Sequence, residues 1–119
     1  MGAADELVEM LRDAAYAAGL AVVGFFDGIF LVRRPGSDPF RWEPQHDSGQ
    51  ALELATDLKM QLGQNGSVAV ASYLCVGEPL RVVNVPHGDD KYQASRMAVL
   101  KLAALMGRHR NETSHAHNL

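Results

Sequence analysis

The stretch Leu20–Arg33, which reads Leu-Ala-Val-Val-Gly-Phe-Phe-Asp-Gly-Ile-Phe-Leu-Val-Arg, decides the local fold. Its two arms, Leu20–Phe26 and Ile29–Arg33, are rich in Val, Ile and Phe, the residue types that favour strands. Asp27-Gly28 separates the arms, and this pair suits a tight turn whose central residues both need positive φ. The sequence therefore predicts an antiparallel hairpin.

Helices are predicted on both sides of this hairpin. The segment Asp5–Ala18 places apolar residues at helical spacing, carries acidic residues in its first turn, and meets a natural stop at Gly19. The segment Asp47–Leu62 has an N-cap in Asp47, a capping-box partner in Gln50, and Gly63 after its end. Both segments are amphipathic, which predicts packing of each on a sheet.

Two further strands and a last helix complete the pattern. Val68–Val76 and Leu80–Val85 read as strands joined through a Gly-Glu-Pro turn. The last helix starts at Asp89 or Asp90, is apolar on nearly all sides, and is predicted to end at about Met106, before Gly107. The α-β-β-α-β-β-α order predicts an α+β fold with one four-stranded, largely antiparallel sheet and helices on its faces, an α/β/α sandwich.

The predicted domain organisation is a single domain over residues 1–107 and a polar, disordered tail over residues 108–119. A chain of 119 residues has the usual length of one domain.

The net charge of −3 argues against a dedicated nucleic-acid binder. A single cysteine, Cys75, excludes an internal disulfide, and the acidic start at Asp5-Glu6 does not suit a signal peptide. These features favour the cytoplasm, with no membrane association.

The connection between residues 34 and 46 holds the main candidate binding residues. It contains three prolines, which disfavour both a helix and a paired strand, and long connections are often functional. Aromatic and guanidinium groups in it suit stacking on a base or contact with a phosphate. The other reading is that Trp42 folds back as a structural anchor. The candidate binding residues are Arg33, Arg34, Phe40, Arg41, Trp42, His46 and His87.

Two histidine–aspartate pairs stand before helix starts. His46-Asp47 and His87-x-Asp89-Asp90 offer metal ligands, and helix N-termini can also hold anions. The simpler reading is that these aspartates are N-caps, because their spacing matches no recognised ligand signature. No metal site, catalytic residue or cofactor is therefore predicted. Asp47 and Gln50 also recur as Asp90 and Gln93. A duplicated strand-strand-helix unit would explain this, but the simpler explanation is that two helices of one sheet need similar caps and small inward-facing residues.

The motif Trp42-x-Pro44-x-x-Asp47, with Ala51, Leu54 and a final helix Ala94-x-x-Met97-Ala98-Val99, carries a family resemblance. It resembles the small phage proteins with the α-β-α sandwich domain, including the NinX-like group. The resemblance covers about residues 40–106 and implies a phage or prophage accessory protein in a bacterial host. It supplies no catalytic residues.

The leading functional hypothesis is a non-enzymatic accessory protein that binds a host or phage macromolecule, most simply a protein. The contact surface predicted for it joins residues 34–47 with residues 86–91. The apolar last helix suggests a homodimer interface as well. The alternative from another class is nucleic-acid or nucleotide binding through residues 33–47. A metal-dependent hydrolase at His46, Asp47, His87 and Asp89 is the third option.

Overall fold

The computed structural model describes residues 3–117, with side chains from residue 5 to residue 112. The chain is α+β, with three helices and two three-stranded antiparallel sheets. The elements are α1 (Ala3–Ala18), β1 (Ala21–Phe26), β2 (Ile29–Arg33), β3 (Phe40–Arg41), α2 (Ser48–Asp57), β4 (Gln61–Asn65), β5 (Val68–Tyr73), β6 (Arg81–Pro86) and α3 (Lys91–His117). The predicted α+β class is confirmed. The predicted single four-stranded sheet is wrong, because each sheet holds one strand that the sequence pattern did not reveal.

The contacts divide the chain into two compact units. Unit 1 is the described part of Met1–Trp42 and Ala103–Leu119, and unit 2 is Glu43–Leu102. Each unit holds one sheet, with strand order β1-β2-β3 in unit 1 and β4-β5-β6 in unit 2. A helix followed by three strands thus occurs twice, before a third helix. The strand-strand-helix duplication considered from the helix starts has two strands in each unit, whereas three strands follow each of the first two helices here.

In unit 1 the predicted hairpin is confirmed. Asp27 and Gly28 have φ of 51° and 77°, and β1 pairs with β2 in antiparallel register up to Phe26 opposite Ile29. The register shifts at Val23, which forms a β-bulge. The missed third strand is β3, which pairs with β2 and places Phe40 opposite Val32. Its two residues follow Pro39 and are too few to show an alternating pattern.

The core of unit 1 includes the covered face of its sheet. Phe30 and Val32 are buried there, and the Trp42 ring lies 6.3 Å from the Phe30 ring between centroids. The backbone N–H of Trp42 also donates to the Phe30 carbonyl at 2.9 Å, which extends the pairing beyond β3. Trp42 is 3% exposed, so it is a core residue of this unit.

α1 and the second half of α3 cross closely in unit 1. A Cβ on Gly107 would overlap the Asp13 carbonyl, so the missing side chain allows the approach. Arg110 Nη1 donates to the Ala17 carbonyl at 3.0 Å, and Arg108 pairs with Asp13 at 3.5 Å. The predicted helix end at Gly107 is wrong, because this glycine is a contact point inside a helix that continues to His117. The helix therefore extends into the segment predicted as a disordered tail, whose last two residues lie outside the described part.

In unit 2, α2 ends earlier than predicted. Lys59 adopts φ of 59°, its N–H donates to the Thr56 carbonyl, and the Met60 N–H donates to the Ala55 carbonyl. These two bonds form a Schellman motif, which ends a helix with a left-handed residue. The chain then enters β4, so Leu62 belongs to a strand and the predicted helix end at Leu62 is wrong.

The remaining elements of unit 2 match the pattern more closely. β5 lies between β4 and β6, and its Ala69 and Ala71 are buried on one face. β5 ends at Tyr73, so Cys75 follows the strand and is partly exposed. The first part of α3 buries Ala94, Ala98 and Val99.

Candidate functional site

The predicted binding loop is exposed over residues 34–39 and partly buried in its second half. Trp42 and Pro44 are buried, and Gln45 is 9% exposed. The Arg34 guanidinium lies 4.9 Å from the centre of the Phe40 ring, a cation–π contact inside the chain. Arg34 therefore occupies one face of the Phe40 ring, and the burial of Trp42 supports its interpretation as a structural anchor.

The three candidate arginines, Arg33, Arg34 and Arg41, all lie in unit 1. Arg33 ends β2 and Arg41 stands opposite Leu31. Because Leu31 and Arg33 share a face of β2, Arg33 and Arg41 project from the same face of the sheet. Arg34 lies in the turn after β2, where its backbone N–H and carbonyl both bond the Ser37 hydroxyl.

The two candidate histidines lie in unit 2 and have separate surroundings. His46 is exposed, and its backbone N–H donates to the Glu43 backbone carbonyl at 2.9 Å. His87 Nε2 bonds the Gln64 side-chain oxygen, and the Gln64 amide nitrogen donates to Ser95 Oγ at 3.0 Å. This chain of side chains ties the end of β6 to β4 and α3. No group of three or more His, Cys, Asp and Glu residues is placed to hold a metal ion within the described residues.

The aspartates act as helix caps. Asp47 accepts the Gln50 N–H at 3.0 Å, as predicted, but the Gln50 side chain accepts from the Glu43 N–H at 2.6 Å instead of completing the capping box at Asp47. Asp90 accepts the N–H groups of Tyr92 and Gln93 at 2.9 and 3.1 Å. The cap interpretation is therefore confirmed for both residues, and the caps fix the starts of α2 and α3.

A groove that the sequence did not reveal lies between α2, β4 and the first part of α3, within unit 2. We call it the α2–α3 groove, and its volume is about 200 Å³. Its lining residues are Ser48, Ala51, Leu52, Leu62, Tyr92, Ser95, Arg96 and Val99. Ala51 and Val99 are buried, while Leu52, Leu62 and Tyr92 are 62%, 47% and 64% exposed. The groove is therefore apolar and open to solvent.

Arg96 is the charged member of this groove. Its Nε donates to the backbone carbonyl of Gln45 and its Nη1 donates to Ser48 Oγ, both at 3.0 Å. Both acceptors are neutral, and no carboxylate of the described residues pairs with this guanidinium. Gln45 also holds the one buried side-chain oxygen without a hydrogen-bond partner in the described part of the chain.

Some signal for this groove was present in the sequence. Leu52 stands off the stripe of Ala51, Leu54 and Ala55 that α2 buries, so it is an apolar residue on the solvent side of the helix. Leu62 lies at helical spacing from the apolar residues of α2, so the sequence pattern placed it in that helix. In the structure it belongs to β4. Arg96 gave no signal, because its partners are distant in sequence.

A second depression, of about 310 Å³, lies at the start of α3 and is lined in part by His87, Asp89 and Met97. The Asp90 carboxylate also lines this depression, where it accepts the backbone N–H groups that cap α3.

Within residues 3–117, no helix combines the length and apolar character of a membrane span. Comparison of the chain with family models, curated proteins and solved structures finds no match.

Proposed function

We propose that this protein is a non-enzymatic binding protein that takes an apolar segment of a protein partner into the α2–α3 groove. The observation that carries the proposal is the exposure of Leu52, Leu62 and Tyr92 around a buried floor of Ala51 and Val99. Grouped apolar side chains at a surface mark interaction sites more often than scattered ones do. Tyrosine is also enriched among the residues that dominate binding energy at interfaces.

The dimensions of the groove favour side chains of a protein over a small molecule. Small-molecule sites usually enclose roughly 300–1,000 Å³, whereas this groove has about 200 Å³ and is open. Its serine hydroxyls are engaged, since Ser48 Oγ accepts from Arg96 and Ser95 Oγ donates to the Lys91 carbonyl at 2.9 Å. Both serine hydroxyls of the lining are therefore held by neighbouring groups of the chain.

The test is comparative capture of partners from bacterial host cells. Wild-type protein, a Leu52→Asp and Tyr92→Ala double variant, and a Val76→Asp control are immobilised in parallel. Val76 is fully exposed and lies outside the groove, so the control adds the same charge elsewhere. We expect a protein that is retained by the wild type and the control and lost from the double variant. Equal retention by all three would reject the groove as the contact surface.

The wider setting of the proposal is a phage or prophage accessory protein in the cytoplasm of a bacterial host. It rests on the sequence resemblance around Trp42 and Asp47 alone. The genes that lie beside this one provide the test. Neighbours that encode phage functions would support the setting, and a conserved metabolic operon would contradict it.

Nucleic-acid binding is the second candidate function, and one observation favours it. Arg33 and Arg41 project from the sheet face of unit 1 that also carries Phe26, which is 59% exposed. A basic sheet surface with an exposed aromatic ring suits single-stranded nucleic acid. Retention of a labelled oligonucleotide on a filter should then fall as salt rises, and fall further in an Arg33→Gln variant. Retention unaffected by either change would remove this candidate.

A further inference from the structure

We infer that the segment bound in the α2–α3 groove is an extended strand that pairs with β4 and places an aspartate or glutamate side chain against Arg96. This inference rests on the proposed function and adds the chemistry of the partner. It stands on three features of unit 2, namely the open edge of β4, the direction in which Leu62 faces, and the charge of Arg96.

The first feature is the edge of β4. Sheet edges are usually protected by a bulge, by shortness, by proline or by charge. β1 has the bulge at Val23, β3 has two residues, and β6 carries Arg81 and Pro86. β4 reads Gln-Leu-Gly-Gln-Asn, has none of these devices, and is exposed at all five residues. Its free backbone groups are therefore accessible to an added strand.

The second feature is the side of the sheet on which the groove lies. Leu62 pairs with Ala71, which is buried, so Leu62 projects from the covered face of the sheet into the groove. A strand added beside β4 would place every second side chain on this same face. Strand addition obtains affinity from main-chain hydrogen bonds and specificity from pockets for alternate side chains. The groove provides such a pocket next to Leu62.

The third feature is the unneutralised charge of Arg96. Gln45 and Ser48 hold the guanidinium in a fixed orientation through neutral oxygens, and no described carboxylate pairs with it. A preorganised guanidinium at the rim of an apolar groove is complementary to a carboxylate, which it can bind through two parallel hydrogen bonds. An apolar side chain for the pocket and a nearby acidic side chain therefore define the segment.

The test uses displayed random short peptides, selected on the immobilised full chain. The peptides are then synthesised with blocked termini, so that side chains are the only carboxylates. We expect the selected peptides to share an apolar residue close to an aspartate or glutamate. Changing that acid to its amide should weaken binding about tenfold or more, as expected for loss of a charge-assisted hydrogen bond. N-methylation should abolish binding only at alternate backbone nitrogens.

Variants of the protein separate the two levels of the proposal. Arg96→Glu should bind the acidic peptide poorly and recover binding to a peptide with lysine in place of the acid, which a general loss of folding would not produce. If peptides depend on Tyr92 but respond neither to loss of their acid nor to alternate N-methylation, the groove binds protein and the present inference is wrong. If no selected peptide is lost in the Leu52→Asp and Tyr92→Ala variant, the proposed function itself is wrong.

Discussion

Unit 1 and unit 2 are built from the same succession of a helix and a three-stranded antiparallel sheet, and they differ in how their helices meet α3. In unit 1, the crossing of α1 and α3 lies at Gly107, and the two backbones come close there because glycine has no side chain. In unit 2, Leu52 and Tyr92 stand on either side of an open groove between α2 and α3. A glycine at the helix crossing thus accompanies close packing in unit 1, whereas unit 2 keeps an apolar groove between its helices that is open to solvent.

Aromatic substitutions in the two units should separate them most clearly. Trp42→Ala should lower the free energy of unfolding by about 3–5 kcal/mol, because it removes a buried aromatic ring from the core of unit 1. Tyr92→Ala is the matched change in unit 2, and its 64% exposure predicts a loss of about 0.5 kcal/mol or less. Urea unfolding followed by far-ultraviolet circular dichroism measures both. Similar losses would contradict the division into a closed and an open unit.

The helix crossing of unit 1 comes next. Gly107→Ala should cost about 1–3 kcal/mol, because the new methyl group must displace the backbone at Asp13 and this exceeds the gain in helix propensity. Gly63→Ala is the control, since no atom lies within 4 Å of its Cβ position. Thermal and urea unfolding should show a loss for residue 107 and no loss for residue 63. A neutral Gly107→Ala variant would mean that the close crossing does not stabilise unit 1.

Asp47 and Asp90 cap the starts of α2 and α3, the two helices that line the groove in unit 2. Asp47→Ala and Asp90→Ala should each cost about 1 kcal/mol, because each leaves backbone N–H groups at a helix start without an acceptor. Asn at the same positions keeps an acceptor oxygen and should restore most of the stability. If Asn is as destabilising as Ala in urea unfolding, charge at the helix start matters more than the hydrogen bond.

The C-terminal ends of α1 and α2 differ in the residue that stops the helix. Gly19 has φ of 75° and Lys59 has φ of 59°, so both end a helix in the left-handed region. Lys59→Gly should stabilise the protein by about 0.5–1 kcal/mol, and Gly19→Lys should destabilise it by a similar amount, because only glycine adopts this conformation without strain. Calorimetric melting temperatures of the two variants should shift in opposite directions. Shifts of the same sign would show that the two helix ends are not equivalent.

The turns and helix ends that were predicted correctly are those that depend on the chemistry of neighbouring residues. The turn at Asp27-Gly28, the end of α1 at Gly19, and the caps at Asp47 and Asp90 depend only on neighbouring residues, and all are confirmed. Most of the covered face of α2 followed from its spacing. These features require no knowledge of distant parts of the chain.

The errors arose where distant contacts decide. Gly63 and Gly107 were both read as helix stops, but one lies in β4 and the other in a helix crossing. Lys59 ends α2 although lysine is a good helix former, so Leu62 was placed in the wrong element. The residues of the groove come from α2, β4 and α3, and Arg96 finds its partners some fifty positions away in the chain. Spacing within one element contains no signal for such a site.

The burial of Trp42 beside Phe30 has a spectroscopic consequence. It is the only tryptophan, so the fluorescence of the protein excited at the indole band reports on the packing around this residue of unit 1. Tyr92 in the groove is one of three tyrosines, and it would report on ligands of unit 2 through its own weaker emission. Unfolding can therefore be followed with two probes at once. Indole emission reports on the surroundings of Trp42, and circular dichroism reports on the secondary structure of the whole chain. Coincident curves would show that the two units unfold as one cooperative system.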